Sequence, residues 1–458
     1  MAQAKAKNMQ PKLVTPRIDV AALKARFAAG DAKIAILGMG YVGFPLAIAT
    51  HGQGFDVLAF DVDAKKIEML NAGKSYLKGI RDDQIGDMVK AGRFHATADA
   101  AALREADALI MCVPTPLTKN REPDMSYVVA TTETIAANLR AGQLVVLEST
   151  TYPGTTAELL TPMLEATGLK SGEDFFIAYS PEREDPGNGM FSTHSIPKVV
   201  GADDSNAREL AITLYNKIVT KAVPVSTAAT AEAVKLTENI FRSVNIALVN
   251  ELKIVYEKMG IDVWEVINAA KTKPFGFMPF YPGPGVGGHC IPIDPFYLTW
   301  KSREYGVPTR FIELAGQINE RMPGYVVTRL REGLDAQQRK GLNGSNILVL
   351  GIAYKSNVDD MRESPSLFIF ERLLAAGANV DFHDNYFPEI PPSREHAALT
   401  GLKSVPLTVE QLKKYDAVVI ATAHRDVDYQ RVMDHAKLII DTRNATDGLT
   451  GAAHVVKA

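Results

Sequence analysis

A five-residue run, Lys33-Ile-Ala-Ile-Leu37, breaks directly into Gly38-Met-Gly40-Tyr-Val-Gly43. A short apolar run that stops at glycine reads as a buried parallel strand. A helix follows from about Val42 to His51, and a second strand from about Asp56 to Phe60. This is a βαβ opening, the context that turns a weak G-x-G-x-x-G match into a dinucleotide site. Gly38 permits the tight turn, Gly40 lets backbone N–H groups approach a pyrophosphate, and Gly43 lets the helix pack on the strand. The phosphate would sit at the positive end of the helix dipole. Asp61 ends the second strand, eighteen residues after Gly43. A carboxylate there accepts hydrogen bonds from ribose hydroxyls and repels a 2′-phosphate, which favours NAD over NADP.

Further short apolar runs at Ala108 to Val113, Leu144 to Leu147 and Phe175 to Ala178 alternate with helical stretches. Such alternation predicts a doubly wound α/β domain. The character changes after Val225. Ala228 to Met259 holds no proline and only helix-compatible residues. That is ~48 Å of helix, too long for a simple crossover. It is expected to join two domains and to pack against a partner subunit. A second α/β unit then echoes the first. Ile347-Leu-Val-Leu-Gly351 matches Ile34-Ala-Ile-Leu-Gly38, Ala376 to Asp384 matches Gly54 to Asp61, and Asp416 to Ile420 matches Asp107 to Met111. It lacks the glycine triad, so a different nucleotide is expected at its strand ends. The fold class is therefore α/β, with two Rossmann-like doubly wound domains joined by a long central helix in a helical dimerisation segment. The expected divisions are a tail and short helix over 1–30, an NAD-binding domain over 31–225, a helical segment over 226–325 and a C-terminal domain over 326–458. The short helix runs near Asp19 to Ala29 and ends at Gly30.

Composition bounds the remaining classes. The chain has 458 residues, enough for several domains, and a net charge of -3. No strong field recruits nucleic acid or a membrane surface. No apolar run approaches the ~20 residues that span a bilayer. The N-terminal stretch has no apolar signal region, and only Cys112 and Cys290 are present. They do not make a disulfide framework, so a reduced, cytoplasmic setting is expected.

Tyr281 to Pro295 reads Tyr-Pro-Gly-Pro-Gly-Val-Gly-Gly-His-Cys-Ile-Pro-Ile-Asp-Pro. Its glycines and prolines forbid regular structure and bring backbone close to something. A thiol at the end of such a loop is a candidate nucleophile once neighbours favour its thiolate. His289 is adjacent but need not face it, and Asp294 can orient water or a proton. Cys112, inside Leu-Ile-Met-Cys-Val, reads as an inert buried thiol. Oxidising an alcohol to an aldehyde needs a base and a hydride acceptor. Oxidising the aldehyde further needs an adduct that can lose a second hydride, and a thiohemiacetal is one.

The chain resembles the UDP-glucose/GDP-mannose dehydrogenase family from about Lys33 to Ala445. The resemblance rests on Gly38 to Gly43, Pro114-Thr-Pro116, Glu148-Ser-Thr-Thr151, Ser180-Pro-Glu-Arg183, Lys235-Leu-Thr-Glu-Asn239, Gly287 to Asp294 and Arg362-Glu-Ser-Pro365. Pro274 to Gly285 and Asp294 to Trp300 look like the UDP-N-acetylglucosamine 6-dehydrogenases of bacterial surface-polysaccharide pathways. The resemblance implies that Cys290 is the nucleophile and that Lys235 and Asn239 stabilise charge on the C6 oxygen. They lie four apart on one helix face. It further implies that Asp294 assists water, Glu182 takes part in proton transfer and Thr151 lies near a catalytic water. Cofactor contacts are implied at Gly38, Gly40, Tyr41, Val42, Gly43, Asp61, Thr115, Thr151 and Arg362. Substrate contacts are implied at Glu182, Lys235, Tyr281, Gly285, Gly287 and Lys355, with the C-terminal domain over 326–458 binding the UDP moiety. No metal is implied.

One departure concerns the base. Some UDP-glucose enzymes carry a second glutamate four residues after the first, where Pro186 stands here, so the base is Glu184 or a water. Another is the aromatic stretch Phe275 to Tyr281, which shapes an N-acetyl pocket or an interface. The expected reaction is four-electron oxidation of a UDP-hexose at C6, with two NAD⁺ and one water consumed. The order of sugars is N-acetylglucosamine, N-acetylgalactosamine, N-acetylmannosamine, glucose. The rivals are a single-step β-hydroxyacid dehydrogenase and an inactive nucleotide-sugar sensor. A homodimer or higher homo-oligomer is expected.

Overall fold

The computed structural model describes residues 18–77, 79–183, 193–393 and 395–458. Glu184 and Pro186 lie outside these residues. Eight strands build the first sheet: β1 (Lys33–Leu37), β2 (Asp56–Phe60), β3 (Phe94–Thr97), β4 (Ala108–Met111), β5 (Leu144–Leu147), β6 (Phe176–Tyr179), β7 (Lys198–Gly201) and β8 (Ala222–Val225). Their order is β3-β2-β1-β4-β5-β6-β7-β8, and all neighbours are parallel except β6 and β7. The first six strands have the dinucleotide-binding order, which reverses between β1 and β4. Side chains alternate across the sheet. Ile34 and Ile36 enter one core layer, and Ala35 and Leu37 enter the other. Both faces are covered, which is why β1 reads as a continuous apolar run rather than an alternating one.

The second sheet holds β9 (Asn346–Leu350), β10 (Asn379–His383), β11 (Ala417–Ile420), β12 (Leu438–Asp441) and β13 (His454–Lys457). It is wholly parallel in the order β10-β9-β11-β12-β13. Again the strand alternates, with Ile347 and Val349 in one core and Leu348 and Leu350 in the other. The internal echo extends to a carboxylate. Asp61 accepts from Met39 N–H at 2.8 Å, and Asp384 accepts from Ile352 N–H at 2.7 Å. The second turn is closed, however. A Cβ at Gly351 would lie 2.3 Å from the Thr422 carbonyl, and the buried His424 sits 3.2 Å from Asp384.

The central helix spans Ala228–Lys258, capped by the Thr227 hydroxyl, which accepts from Thr230 N–H. It packs on the helices Asp294–Ser302 and Arg310–Gln338. The latter was not read from the sequence, because Pro323 lies inside it and argues locally for a break. It borders the central helix, and Val326 and Leu330 of its second half also join the core of the second sheet. The N-terminal helix Val20–Ala29 ends at Gly30 in the left-handed region (φ 84°), as the glycine there predicts. Among the described residues no helix is long and apolar enough to cross a membrane.

Candidate active site

Ligands of an open α/β sheet bind beyond the carboxyl ends of the strands, where the order reverses. A cavity of about 500 Å³ lies there. Gly38, Gly40, Tyr41, Val42, Asp61, Cys112, Thr115, Glu148, Glu182, His289, Cys290 and Arg362 line it. Residues from the first domain, the cysteine loop and the C-terminal domain thus meet in one space.

The three glycines serve different needs. Gly38 has φ 97°, and a Cβ on it would lie 2.5 Å from the Cys112 carbonyl. A Cβ on Gly43 would lie 2.0 Å from the Gly38 carbonyl. Both are required by the protein itself. Gly40 has nothing within 4 Å of its missing Cβ. Its bareness opens onto the cavity and suits the close approach of a dinucleotide pyrophosphate. Asp61 is buried at the end of β2, bonded to Met39 N–H and 3.0 Å from the Lys66 amine. Thr115 is buried at the cavity wall. The Arg362 guanidinium is held by Asp360 at 2.6 Å and lies 4.9 Å over the Tyr41 ring, so the C-terminal domain roofs the glycine turn. This donor set fits NAD: backbone N–H groups of the turn for the pyrophosphate and Asp61 for the adenosine ribose.

Cys290 is a free thiol that faces the cavity. Burial pushes it up to about 12, while the nearby Lys235 ammonium pulls it down. The thiolate therefore needs local help. Lys235 is buried, and its amine donates to the Glu182 carbonyl at 2.6 Å and carboxylate at 3.0 Å. Burial opposes its charge, but Glu182, Cys290 and Asp294 together hold it firmly protonated. Asn239 donates to Asp294 at 2.6 Å. Asp294 opens its helix, and its N–H donates to the Cys290 carbonyl at 2.8 Å. Burial pushes its carboxyl up to about 7, with the Lys235 ammonium and the Asn239 bond opposing. A carboxyl poised there can take and return protons near neutrality. His289 is pushed down to about 4 by burial, helped by Arg362, and is neutral. Thr151 is fully buried, and its hydroxyl has no partner among the described residues. An orphaned hydroxyl of this kind can hold an ordered water.

The glycines of the cysteine loop have a reason the sequence does not state. A Cβ on Gly287 would lie 2.7 Å from the Glu363 carbonyl, and one on Gly288 would lie 2.8 Å from the Tyr354 ring. Gly288 N–H donates to the Arg362 carbonyl at 3.0 Å. The loop is pressed against the C-terminal domain. Gly285 (φ 132°) lines a second cavity of about 450 Å³ on another side of the loop. Tyr281 stacks on Trp264 (5.6 Å) and does not line the first cavity. Lys355 follows Tyr354 at the C-terminal strand ends, half-buried, and lines neither cavity.

One buried network was missed. The Tyr215 hydroxyl donates to Glu148 at 2.5 Å, and the Lys198 amine lies 2.8 Å from Glu148 and donates to the Pro181 carbonyl at 3.2 Å. These bonds tie the residue before Glu182 to the end of β5. The available signal was Lys198, a charge opening an otherwise apolar strand. Cys112 lines the cavity beneath the glycine turn, and burial raises its thiol well above the usual range, so it is inert.

The chain matches known proteins along most of its length. The UDP-glucose/GDP-mannose dehydrogenase family matches in three parts: its NAD binding domain over 32–219, its central domain over 229–321 and its UDP binding domain over 348–448. The UDP-N-acetyl-D-glucosamine 6-dehydrogenase of Pseudomonas aeruginosa is 35% identical over 398 residues, covering 86% of this chain and 91% of that protein. The solved UDP-D-ManNAc dehydrogenase of Pyrococcus horikoshii superposes with a TM-score of 0.83 at 34% identity, covering 92% of this chain and 98% of that one. The UDP-glucose dehydrogenase of Pyrobaculum islandicum also reaches 0.83, at 28% identity over 93% and 98%. With all three of its parts matched in order along the chain, this protein belongs to the UDP-glucose/GDP-mannose dehydrogenase family and is an NAD-dependent oxidoreductase.

Proposed function

We propose that the protein oxidises the C6 hydroxyl of UDP-N-acetylglucosamine to the corresponding UDP-hexuronic acid. The observation that carries this reading is that Cys290 shares one cavity with Glu182 and the open face of Gly40, while the charges of Lys235 and Asp294 act on its thiol. Bound NAD supplies the hydride acceptor for both oxidations. Lys235 and Asn239 stabilise negative charge on the C6 oxygen as its proton leaves. The resulting aldehyde accepts the Cys290 sulfur, and the thiol proton passes to the thiohemiacetal oxygen or to Asp294. Loss of a second hydride, with the proton on that oxygen passing through Glu182 to water, leaves a thioester. Water, deprotonated by Asp294, cleaves it to the acid and returns the proton to sulfur. Glu182, fixed by Lys235, and a water on Thr151 complete the proton path. Two NAD⁺ and one water are consumed per sugar.

The relatives act on N-acetylglucosamine, N-acetylmannosamine and glucose derivatives, so the sugar is the finer part of the proposal. The test is a panel of UDP-sugars with NAD⁺, read by NADH absorbance. UDP-N-acetylglucosamine should give the highest kcat/KM and two NADH per sugar. One NADH per substrate would refute four-electron oxidation, and none would favour a binding protein. We also propose a cytoplasmic homodimer. The central helix exposes Phe241, Leu248 and Val255 at 48%, 51% and 46%, seven residues apart, as one apolar stripe.

A further inference from the structure

Glu232 stands on the central helix, three residues before Lys235 and seven before Asn239. That spacing puts all three on one helix face. Glu232 is fully buried. Three donors fill its carboxylate: Gly154 N–H at 2.6 Å, Thr156 N–H at 2.9 Å and the Thr156 hydroxyl at 2.6 Å. A buried carboxylate is costly unless it is hydrogen-bonded. Burial raises this carboxyl, and the bonds from Thr156 and Gly154 oppose the rise. The chemistry proposed above gives this buried acid no part.

The segment it holds is the one that carries Thr151, four residues past the end of β5. Tyr152 to Thr155 form a tight turn, in which the Thr155 N–H and hydroxyl both donate to the Tyr152 carbonyl, at 3.1 and 2.7 Å. Thr155 occupies the capping position of the helical segment Thr156–Leu160, but its hydroxyl is engaged in that turn. Glu232, 76 residues away, takes the Thr156 N–H instead. The segment is wound as a π-helix, a wide turn frequent at functional sites. Tyr152 packs with Leu236, Ile293 and Tyr297, so the turn touches the sequence neighbours of Lys235 and Asp294. Beyond it, Glu158 pairs at 2.6 Å with Lys301, near the far end of the helix that Asp294 opens. The Thr151 hydroxyl itself stays unpartnered among the described residues.

Resting on the proposed function, we infer that Glu232 is a positioning residue: it fixes the turn after Thr151, and so keeps the Thr151 hydroxyl and its water in register with Asp294 and Lys235. It acts through Thr151 and touches neither sugar nor cofactor. Its loss should spare hydride transfer and slow the step that needs water. Glutamine is the informative replacement, because it keeps the length and removes one acceptor. Its amide oxygen can still take the Thr156 donors, but its amide nitrogen then opposes the Gly154 N–H, donor against donor. The turn must shift to relieve this, and a misplacement of about 1 Å costs about 10²-fold in rate.

The test is a single turnover of the full-length protein with UDP-N-acetylglucosamine and NAD⁺, following NADH by absorbance and Cys290 by intact mass. The wild type should release two NADH per sugar and leave no adduct. Glu232→Gln should release both NADH at close to the wild-type rate and retain a uronyl thioester on Cys290. Its steady-state kcat should fall about 10- to 100-fold with KM little changed. Thr156→Val, which removes one donor at constant shape, should retain the same adduct with a smaller loss, and it decides alone if Glu232→Gln does not fold. Adding Glu232→Gln to Thr151→Val should cost little further, because both changes act at one place. Hydride transfer slowed in proportion to turnover, with no adduct, marks a merely structural role and would overturn the inference. Full additivity with Thr151→Val would overturn it as well. One NADH or none from the wild type would instead sink the functional reading, and this inference with it.

Discussion

Asp294→Asn separates the chemistry of the site from its architecture. The carboxylate accepts from Asn239 at 2.6 Å, and the backbone N–H donates to the Cys290 carbonyl. Asparagine keeps both, because its amide oxygen can take the Asn239 bond. What it loses is a group that titrates near 7. Loss of a positioned acid–base group costs about 10²- to 10⁴-fold in rate, or about 2.7–5.4 kcal/mol of barrier. The loss should fall on thioester hydrolysis, so single-turnover experiments should find both NADH released and a uronyl adduct on Cys290 by intact mass. In the wild type only the carboxylate serves as base. Turnover should fall about tenfold per pH unit below about 7, and the variant should lack that inflection. Asp294 also raises the Cys290 thiol, so its removal should speed alkylation of Cys290 by iodoacetamide while turnover drops. Stability should move the other way from activity. The folded protein holds this proton up to about 7 and the unfolded chain releases it near 3.9, so wild-type stability falls as pH rises between them. That is a loss of up to about 4 kcal/mol above pH 7, and D294N should melt higher at pH 8. Wild-type turnover with the inflection retained, or slower alkylation, would refute this account of Asp294.

Three further outcomes follow from the structure. Gly40→Ala should fold with a wild-type melting temperature yet bind NAD⁺ at least tenfold more weakly by calorimetry, because its Cβ meets nothing until the cofactor arrives. Gly43→Ala, whose Cβ would strike the Gly38 carbonyl, should be destabilised by several kcal/mol in denaturant. Phe241→Glu combined with Leu248→Glu should yield a monomer by sedimentation while the secondary structure by circular dichroism is kept. A dimer surviving both charges would place the interface on another face.

Local pattern carried the first domain. A buried parallel strand, a glycine turn, a helix and an acid follow one another within thirty residues, and hydrophobic period and turn chemistry are written at that range. Lys33–Leu37, Asp56–Phe60 and Leu144–Leu147 are strands with the ends read from sequence. The cysteine loop was legible for the same reason, since glycine and proline exclude regular structure locally. The Arg310–Gln338 helix was not legible, because Pro323 signals a break and only flanking contacts override it.

The sequence by itself thus determined which segments are strands, where a dinucleotide can approach and which thiol is unusual. Only the tertiary structure decided the charges. Lys235 meets Glu182 across 53 residues, and Asn239 meets Asp294 across 55. It also closed the Gly351 turn with Thr422, pressed Gly287 and Gly288 against the C-terminal domain, and capped the turn after Thr151 with Glu232. Protonation depends on burial and on charges a few ångströms away. Those distances are set by how distant strands and helices converge, a quantity that no local periodicity encodes.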